Sequence, residues 1–377
     1  MPTFNGVYRK IMLYSRILNI AKITYNIMNK EELEIIDETI NDNEEFRYSI
    51  TSYGADYTVD SIIQRIEKEK IFIPPFQRKY VWTQIQASRF IESLILGLPV
   101  PGVFLSKEEE TERLLIIDGQ QRILSIANFY KGVFGEKKFR LKGVQDDLEG
   151  KTYDELNPSD QNRLDDSILH ATVIKQDTPS QDNSSIYMVF ERLNTGGTPL
   201  QPQEIRACVY YGKFNDLLSK LVSNEFWRRI FGKENQRMKE QELILRFFSL
   251  YYESNNYKKG LKSFINSFMA KNRNLDIYTE EILTELFSST IKFIYDYVGE
   301  KAFRIGNRIN VAIFDSIMIG VASLINEKKC INKDDFISKY NELLNDDTYK
   351  SFVENSTSSE SSVKGRINMA ISSFKDL

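Results

Sequence analysis

Two hydrophobic patterns divide this chain. Up to about residue 205 the apolar residues come in short runs broken by turn residues, and beyond it they recur every three or four positions almost without interruption. In the first part, Leu114-Leu115-Ile116-Ile117 reads as a buried strand, Asp118-Gly119 as the turn that ends it, and 120–130 as a helix with Ile123, Ile126 and Phe129 on one side. Upstream, Val59, Ile62, Ile63 and Ile66 have helical spacing within 52–70. Ile71-Phe72-Ile73 is a short strand stopped by Pro74-Pro75, because proline cannot continue a ladder. The stretch 83–96 predicts a helix: Thr83 and Gln86 have capping-box spacing, Phe90, Ile91, Leu94 and Ile95 form a stripe, and Gly97 takes the usual C-terminal place. Further strands are expected at 103–105, 139–141 and around His170, and helices at 159–169 and 183–193.

The second part predicts helices at 202–211, 214–231, 238–253, 259–270, 279–298, 309–326, 334–345 and 363–375, with 356–362 as a polar, mobile loop. No repeat of fixed period is present. The pattern therefore predicts an α/β (α+β) domain over 51–205 and an all-helical domain over 206–377, preceded by a partly mobile extension over 1–50.

Composition narrows this picture. A chain of 377 residues suffices for two ordinary domains. A net charge of -3 does not advertise a nucleic-acid binder, although local basic patches matter more than the total. Cys208 and Cys330 match no metal or redox spacing, which suggests a reducing compartment. No apolar run is long enough to span a bilayer, so the sequence reading is a cytoplasmic protein. The single histidine, His170, argues against HNH nucleases and most zinc hydrolases, which need more than one, and it sits in a strand-like run where a structural role is expected. Residues 1–27 lack acidic residues but carry Arg9, Lys10, Arg16 and Lys22. That resembles a transit peptide, yet the simpler reading is that Met28 rather than Met1 is the working start.

Candidate chemistry concentrates at Asp118-Gly119-Gln120-Gln121-Arg122, a strand-to-helix corner. The free N–H groups of a helix start favour an anion such as phosphate, and an arginine fork suits phosphate oxygens. Asp118 is placed to hold a metal ion or orient a water. The competing structural reading has Asp118 capping the helix and Arg122 in a surface salt bridge. Gln77 and Arg78 follow the proline pair on a stiff loop among aromatic residues. The turn at Asn194 to Gly197 is a second place where backbone N–H groups can converge on an anion. In the helical part, basic residues including Lys258, Lys259 and Lys262 alternate with Tyr251, Tyr252 and Tyr257. That is either a DNA-contacting surface or an ordinary solvated face.

Four motifs in order (75–82, 92–101, 118–122, and 190–200 followed by Gln203-Glu204-Ile205-Arg206) resemble the N-terminal domain of GmrSD-type (type IV) restriction systems, in the wider ParB/sulfiredoxin-like group. The resemblance implies a mixed α/β domain that binds and hydrolyses NTP with Mg²⁺, tied to recognition of modified phage DNA. Carried over residue by residue, it points to Asp118, Gln121 and Arg122 as catalytic, with Asp118 as metal ligand. Gln77, Arg78, Gly119, Gln120, Arg192 and Asn194 then bind the nucleotide. Two departures stand out: one histidine makes an HNH domain in this chain implausible, and Gln120 and Gln121 stand where sulfiredoxin chemistry needs a cysteine. The leading expectation is an NTP-hydrolysing subunit of a phage-defence system that cuts DNA only with a separate nuclease subunit or not at all. The alternatives are a DNA-binding module with a degenerate nucleotide pocket and a metal-dependent DNA nickase.

Overall fold

The computed structural model describes residues 35–36, 49–72, 80–108, 111–178, 184–193, 200–235, 237–327, 331–375 and 377. Gln77, Arg78, Asn194 and nearly all of the expected extension over 1–50, including both candidate start positions, lie outside the described residues. Two compact units interleave along the chain. One comprises 41–224 and 236–288; the other comprises 1–40, 225–235 and 289–377.

In chain order, Ile35–Ile36 is strand β1, Ser49–Thr58 β2, Val59–Glu67 helix α1, Ile71–Phe72 β3, Gln84–Ile95 α2, Val103–Lys107 β4, Leu114–Asp118 β5 and Gln120–Tyr130 α3. The small hairpin β6 (Val133–Phe134) and β7 (Lys137–Lys138) follows, then α4 (Pro158–Asp166), β8 (Ile168–Thr178), α5 (Ser184–Leu193) and α6 (Pro202–Val209). The first unit is built on a mixed five-stranded sheet in the order β2-β8-β4-β5-β3. β4 runs parallel to β8 and antiparallel to β5, while β3 lies parallel to β5 at one edge.

The four consecutive apolar residues of β5 are explained by burial on both faces, as expected of a central strand. Leu114 and Ile116 join Ile91, Leu94, Ile123 and Phe129 in one core. Ile117 is equally buried but outside that core, and α5 packs against β5. Helix α2 begins as its sequence predicts: Thr83 N–H donates to the Gln86 side chain at 2.9 Å, and Gln86 N–H to Thr83 Oγ at 3.3 Å. Gly97, at φ 70°, ends it.

Strand β2 was not legible in the sequence. It pairs antiparallel with β8 from Ser49 to Thr58, and its helix starts only at Val59, with Thr58 Oγ accepting from Ser61 N–H at 3.2 Å. As an edge strand it leaves Ile50 and Tyr53 exposed, so it shows no clean alternation to read. The expected strand at 139–141 is instead β7 at Lys137–Lys138, with Phe139 buried beyond it.

From residue 213 onward the chain is helical, as its period predicts. The helices are α7 (Lys213–Leu221), α8 (Glu225–Phe231), α9 (Lys239–Glu253), α10 (Leu261–Lys271) and α11 (Glu280–Tyr297); after the strands β9 (Arg304–Ile305) and β10 (Arg308–Asn310) come α12 (Val311–Asn326), α13 (Lys333–Asn345), α14 (Asp347–Glu354) and α15 (Glu360–Lys375). Four details differ from expectation. The helix expected over 214–231 breaks at 222–224, and α8 falls in the second compact unit. Helix α14 was not foreseen, and α15 starts inside the expected polar loop, at Glu360. The β9–β10 hairpin interrupts the helices, and β1 adds to it in parallel. In the second unit α12 is buried nearly all round and packs on α15, where Gly320 admits Phe374 and Ala370. Asp315 and Arg366 form an ion pair at 3.0 Å there, and both side chains are 0% exposed. Among the described residues no helix is long and apolar enough to cross a membrane.

Candidate functional site

The corner forms where β5 stops. Gly119 has φ 95°, and a Cβ there would lie 2.4 Å from Val103 Cγ1, so both the backbone and β4 require glycine. Gly119 is also the N-cap of α3, and no side chain caps this helix start. Asp118 instead accepts from Arg122: Nη2 reaches Asp118 Oδ2 at 2.7 Å, and Nη1 donates to the Gly102 carbonyl. The Arg122 side chain is only 14% exposed against 38% for Asp118, so this is a guanidinium fixed at the sheet end rather than a solvated surface bridge. Gly102 is itself constrained, since a Cβ there would meet the His170 carbonyl at 2.7 Å.

Gln121 ties two motifs together. Its side-chain oxygen accepts from Val81 N–H at 2.9 Å and Trp82 N–H at 3.2 Å. Beside it, Ser125 Oγ donates to the Gln121 carbonyl, leaving the Tyr80 hydroxyl to donate to Ser125 at 2.7 Å. Burial pushes the Tyr80 phenol up from its ordinary pKa. The Tyr80–Trp82 segment is thus anchored on the first turn of α3. Gln120 is half-buried in that same turn.

The other expected residues lie elsewhere. Arg192 is exposed near the end of α5. His170 is also exposed, with Nδ1 2.6 Å from the Asp56 carboxylate across the β2–β8 pair. Lys258 and Lys259 are exposed, while Lys262 holds Glu191 at 2.8 Å. The interleaved tyrosines are not a stacking platform. Tyr257 is fully buried against Phe264, and Tyr252 stacks on Tyr278 at 3.8 Å, burial pushing its phenol up to about 12. Among the described residues no group of three or more His, Cys, Asp or Glu stands ready for a metal.

Sequence reasoning gave no role to Gln203-Glu204-Ile205-Arg206, and the structure does. Arg206, 1% exposed, donates Nε to Asn266 at 2.7 Å and Nη1 to Glu242 at 3.2 Å, joining α6 to α9 and α10. Glu204 accepts from Arg237 Nη2 at 2.9 Å. Burial raises the Glu242 carboxyl, but Arg206, Lys239 and Arg246 pull it below the usual range. Charged residues at positions where a helix should be apolar are the signal that could have located this network.

The corner therefore presents an uncapped helix start, a fixed guanidinium and a partly exposed carboxylate, a combination suited to phosphate. No curated protein matches this chain. Among solved structures, a Pnob8-like ParB-N domain is similar at 11% identity, over 86% of this chain and 100% of that chain, with a TM-score of 0.21. That superposition is too loose to argue from. A family description does match residues 59–211, from the start of α1 to just past α6, and takes in the corner, Tyr80–Trp82 and, of the Arg206 network, Glu204 and Arg206 but not Arg237, Glu242 or Asn266. What this segment matches is the description of the GmrSD restriction endonuclease, N-terminal domain.

Proposed function

We propose that the protein is a DNA-acting component of a restriction-like defence system, and that the corner binds and hydrolyses a nucleoside triphosphate. The observation that carries this is the Arg122 guanidinium, mostly buried and fixed by Asp118 and the Gly102 carbonyl beside the uncapped start of α3. Phosphates approaching the α3 N–H groups meet an arginine that needs little reordering. Asp118 presents a partly exposed carboxylate at that point. One carboxylate suits Mg²⁺ when nucleotide phosphates supply further oxygens, which is how that ion is usually held at phosphoryl-transfer sites.

DNA and a separate nuclease subunit complete the reading, supported by the restriction-endonuclease match of residues 59–211 and by exposed Lys258 and Lys259. The absence of a candidate membrane helix among the described residues agrees with a cytoplasmic setting. A second reading, a DNA-binding module with a degenerate pocket, draws on the fact that Asp118 already neutralises Arg122. The test is a hydrolysis screen of the four ribonucleoside triphosphates with Mg²⁺, with and without modified DNA, beside calorimetric titration of each nucleotide. Binding with turnover supports the first reading. DNA binding without any nucleotide affinity supports the second.

A further inference from the structure

A second pocket, of about 250 Å³, lies in the same compact unit at the other end of β5. It touches Arg113 and Leu115, whereas the corner begins at Asp118, roughly 10 Å further along the strand. The faces differ as well. Leu115 alternates with Leu114 and Ile116, which point into the core under α3, and the pocket is floored by Ile186 of α5 and Val209 of α6. The pocket is therefore separate from the nucleotide site proposed above.

Its chemistry is specific. One wall is aromatic: Phe72 and Tyr211 lie with ring centroids 4.9 Å apart, and the Arg113 guanidinium sits over Phe72 at 5.9 Å. The rim is cationic, with Lys107, Arg113 and Arg273 outnumbering Glu108. Arg273 is committed: it holds Glu108 and donates Nε to the Tyr211 carbonyl at 2.6 Å. Lys107 and Arg113 are only loosely held. Their partners Glu112 and Glu69 have side chains 77% and 75% exposed, and solvated pairs of this kind exchange readily for a phosphate. Deeper in, the buried Ser106 supplies a hydroxyl.

We propose that this pocket takes a single nucleotide, its base against the Phe72–Tyr211 wall and its phosphate on Lys107 and Arg113. Volume decides against a larger guest, because about 250 Å³ falls below the roughly 300–1,000 Å³ of sites that enclose drug-sized ligands. A base fits, with its phosphate left at the rim. Aromatic walls bind bases of any sequence by stacking, and a hydroxyl such as that of Ser106 is of the kind that reads a base edge. The guest has two sources, a free nucleoside monophosphate or an unstacked residue of a DNA strand.

The experiment uses the full chain. Calorimetry measures dAMP binding, and fluorescence anisotropy measures a labelled single-stranded 11-mer and the same strand with its central residue abasic. Arg113→Glu and Tyr211→Leu are compared with Arg122→Ala, with a thermal melt on each. Both pocket variants should weaken dAMP about tenfold, since a base stack and a charged phosphate contact each carry roughly that factor. Tighter binding of the intact strand than of the abasic strand, lost in Arg113→Glu, identifies the guest as a DNA residue. Equal binding of the two strands, with pocket-dependent dAMP binding, identifies a free nucleotide. Arg113 is half-exposed, so its variant keeps the test alive if Tyr211→Leu unfolds. The proposal is overturned if neither probe binds at millimolar concentration, if binding ignores both pocket variants, or if it depends on Arg122 alone. Loss of triphosphate hydrolysis in Arg122→Ala with intact dAMP binding would concern only the corner.

Discussion

Replacing Arg122 separates the structural and chemical roles of the corner. Arg122→Ala removes two hydrogen bonds made by a side chain only 14% exposed, one to the Asp118 carboxylate at 2.7 Å and one to the Gly102 carbonyl. A charged hydrogen bond and an orphaned, part-buried carbonyl together cost about 2–3 kcal/mol. For a unit of this size that lowers Tm by roughly 5–10 °C. An exposed salt bridge would cost well under about 1 kcal/mol; the burial of the guanidinium is what raises the figure. If the guanidinium also meets developing charge on a phosphate, turnover should fall about 100-fold or more at temperatures where the variant stays folded. Arg122→Lys keeps the charge but cannot hold Asp118 and Gly102 together, so it should lose stability like the alanine variant while retaining part of the phosphate affinity. A double-mutant cycle with Asp118→Asn isolates the pair, and a coupling of about 1 kcal/mol or more is expected. The assays are a thermal melt, a chemical denaturation and a hydrolysis rate on each variant. An unchanged Tm would refute the buried geometry. A folded Arg122→Ala enzyme with full turnover would refute the phosphate role and leave Arg122 as a strut between β4 and α3.

Other consequences are as direct. Gly119→Ala should cost about 1–3 kcal/mol from its φ of 95° alone, and adding Val103→Ala, which removes the 2.4 Å approach, should recover only part of that in denaturant titrations. Asp315→Ala strands a fully buried arginine and should cost about 3–5 kcal/mol, whereas replacing Asp315 and Arg366 together with apolar residues should cost less. Tyr153, stacked on Tyr130 at 4.2 Å, is held neutral by burial and by donating to the Asp165 carboxylate, which pushes its phenol up to about 12. The unfolded phenol titrates near 10, so the stability from this group is complete below pH 10 and is lost as pH rises toward 12; fluorescence-monitored denaturation at pH 9, 10.5 and 12, with Tyr153→Phe as control, should show it. If the helical region contacts DNA phosphates, Lys258→Ala with Lys259→Ala should reduce the salt slope of binding by about 2, and Lys262→Ala should add less because Glu191 already holds that lysine.

Hydrophobic period and cap chemistry are local properties, and they placed α2, α3 and the helical second half without reference to the rest of the chain. A four-residue apolar run bounded by Asp118-Gly119 marked a central strand and the corner after it, because only burial on both faces tolerates such a run. Where the corner's side chains point was not local. Whether Arg122 reaches solvent or the Gly102 carbonyl depends on β4 lying beside β5, a pairing set by the sheet order. The same holds for Gln121, which serves a loop forty residues away at Val81. Strand β2, with an exposed face, carried no alternation and became visible only through its pairing with β8. Lys258 and Tyr257 look alike as parts of one basic, aromatic stretch, yet one is exposed and the other sealed in the core. The sequence by itself determined most of the helices, strand β5 and the short corner after it, because helix period, caps and turn glycines act over a few residues. The buried guanidinium, the Arg206 network and the second pocket were decided by the tertiary structure, because burial and partner choice depend on residues distant in the chain that only packing brings together.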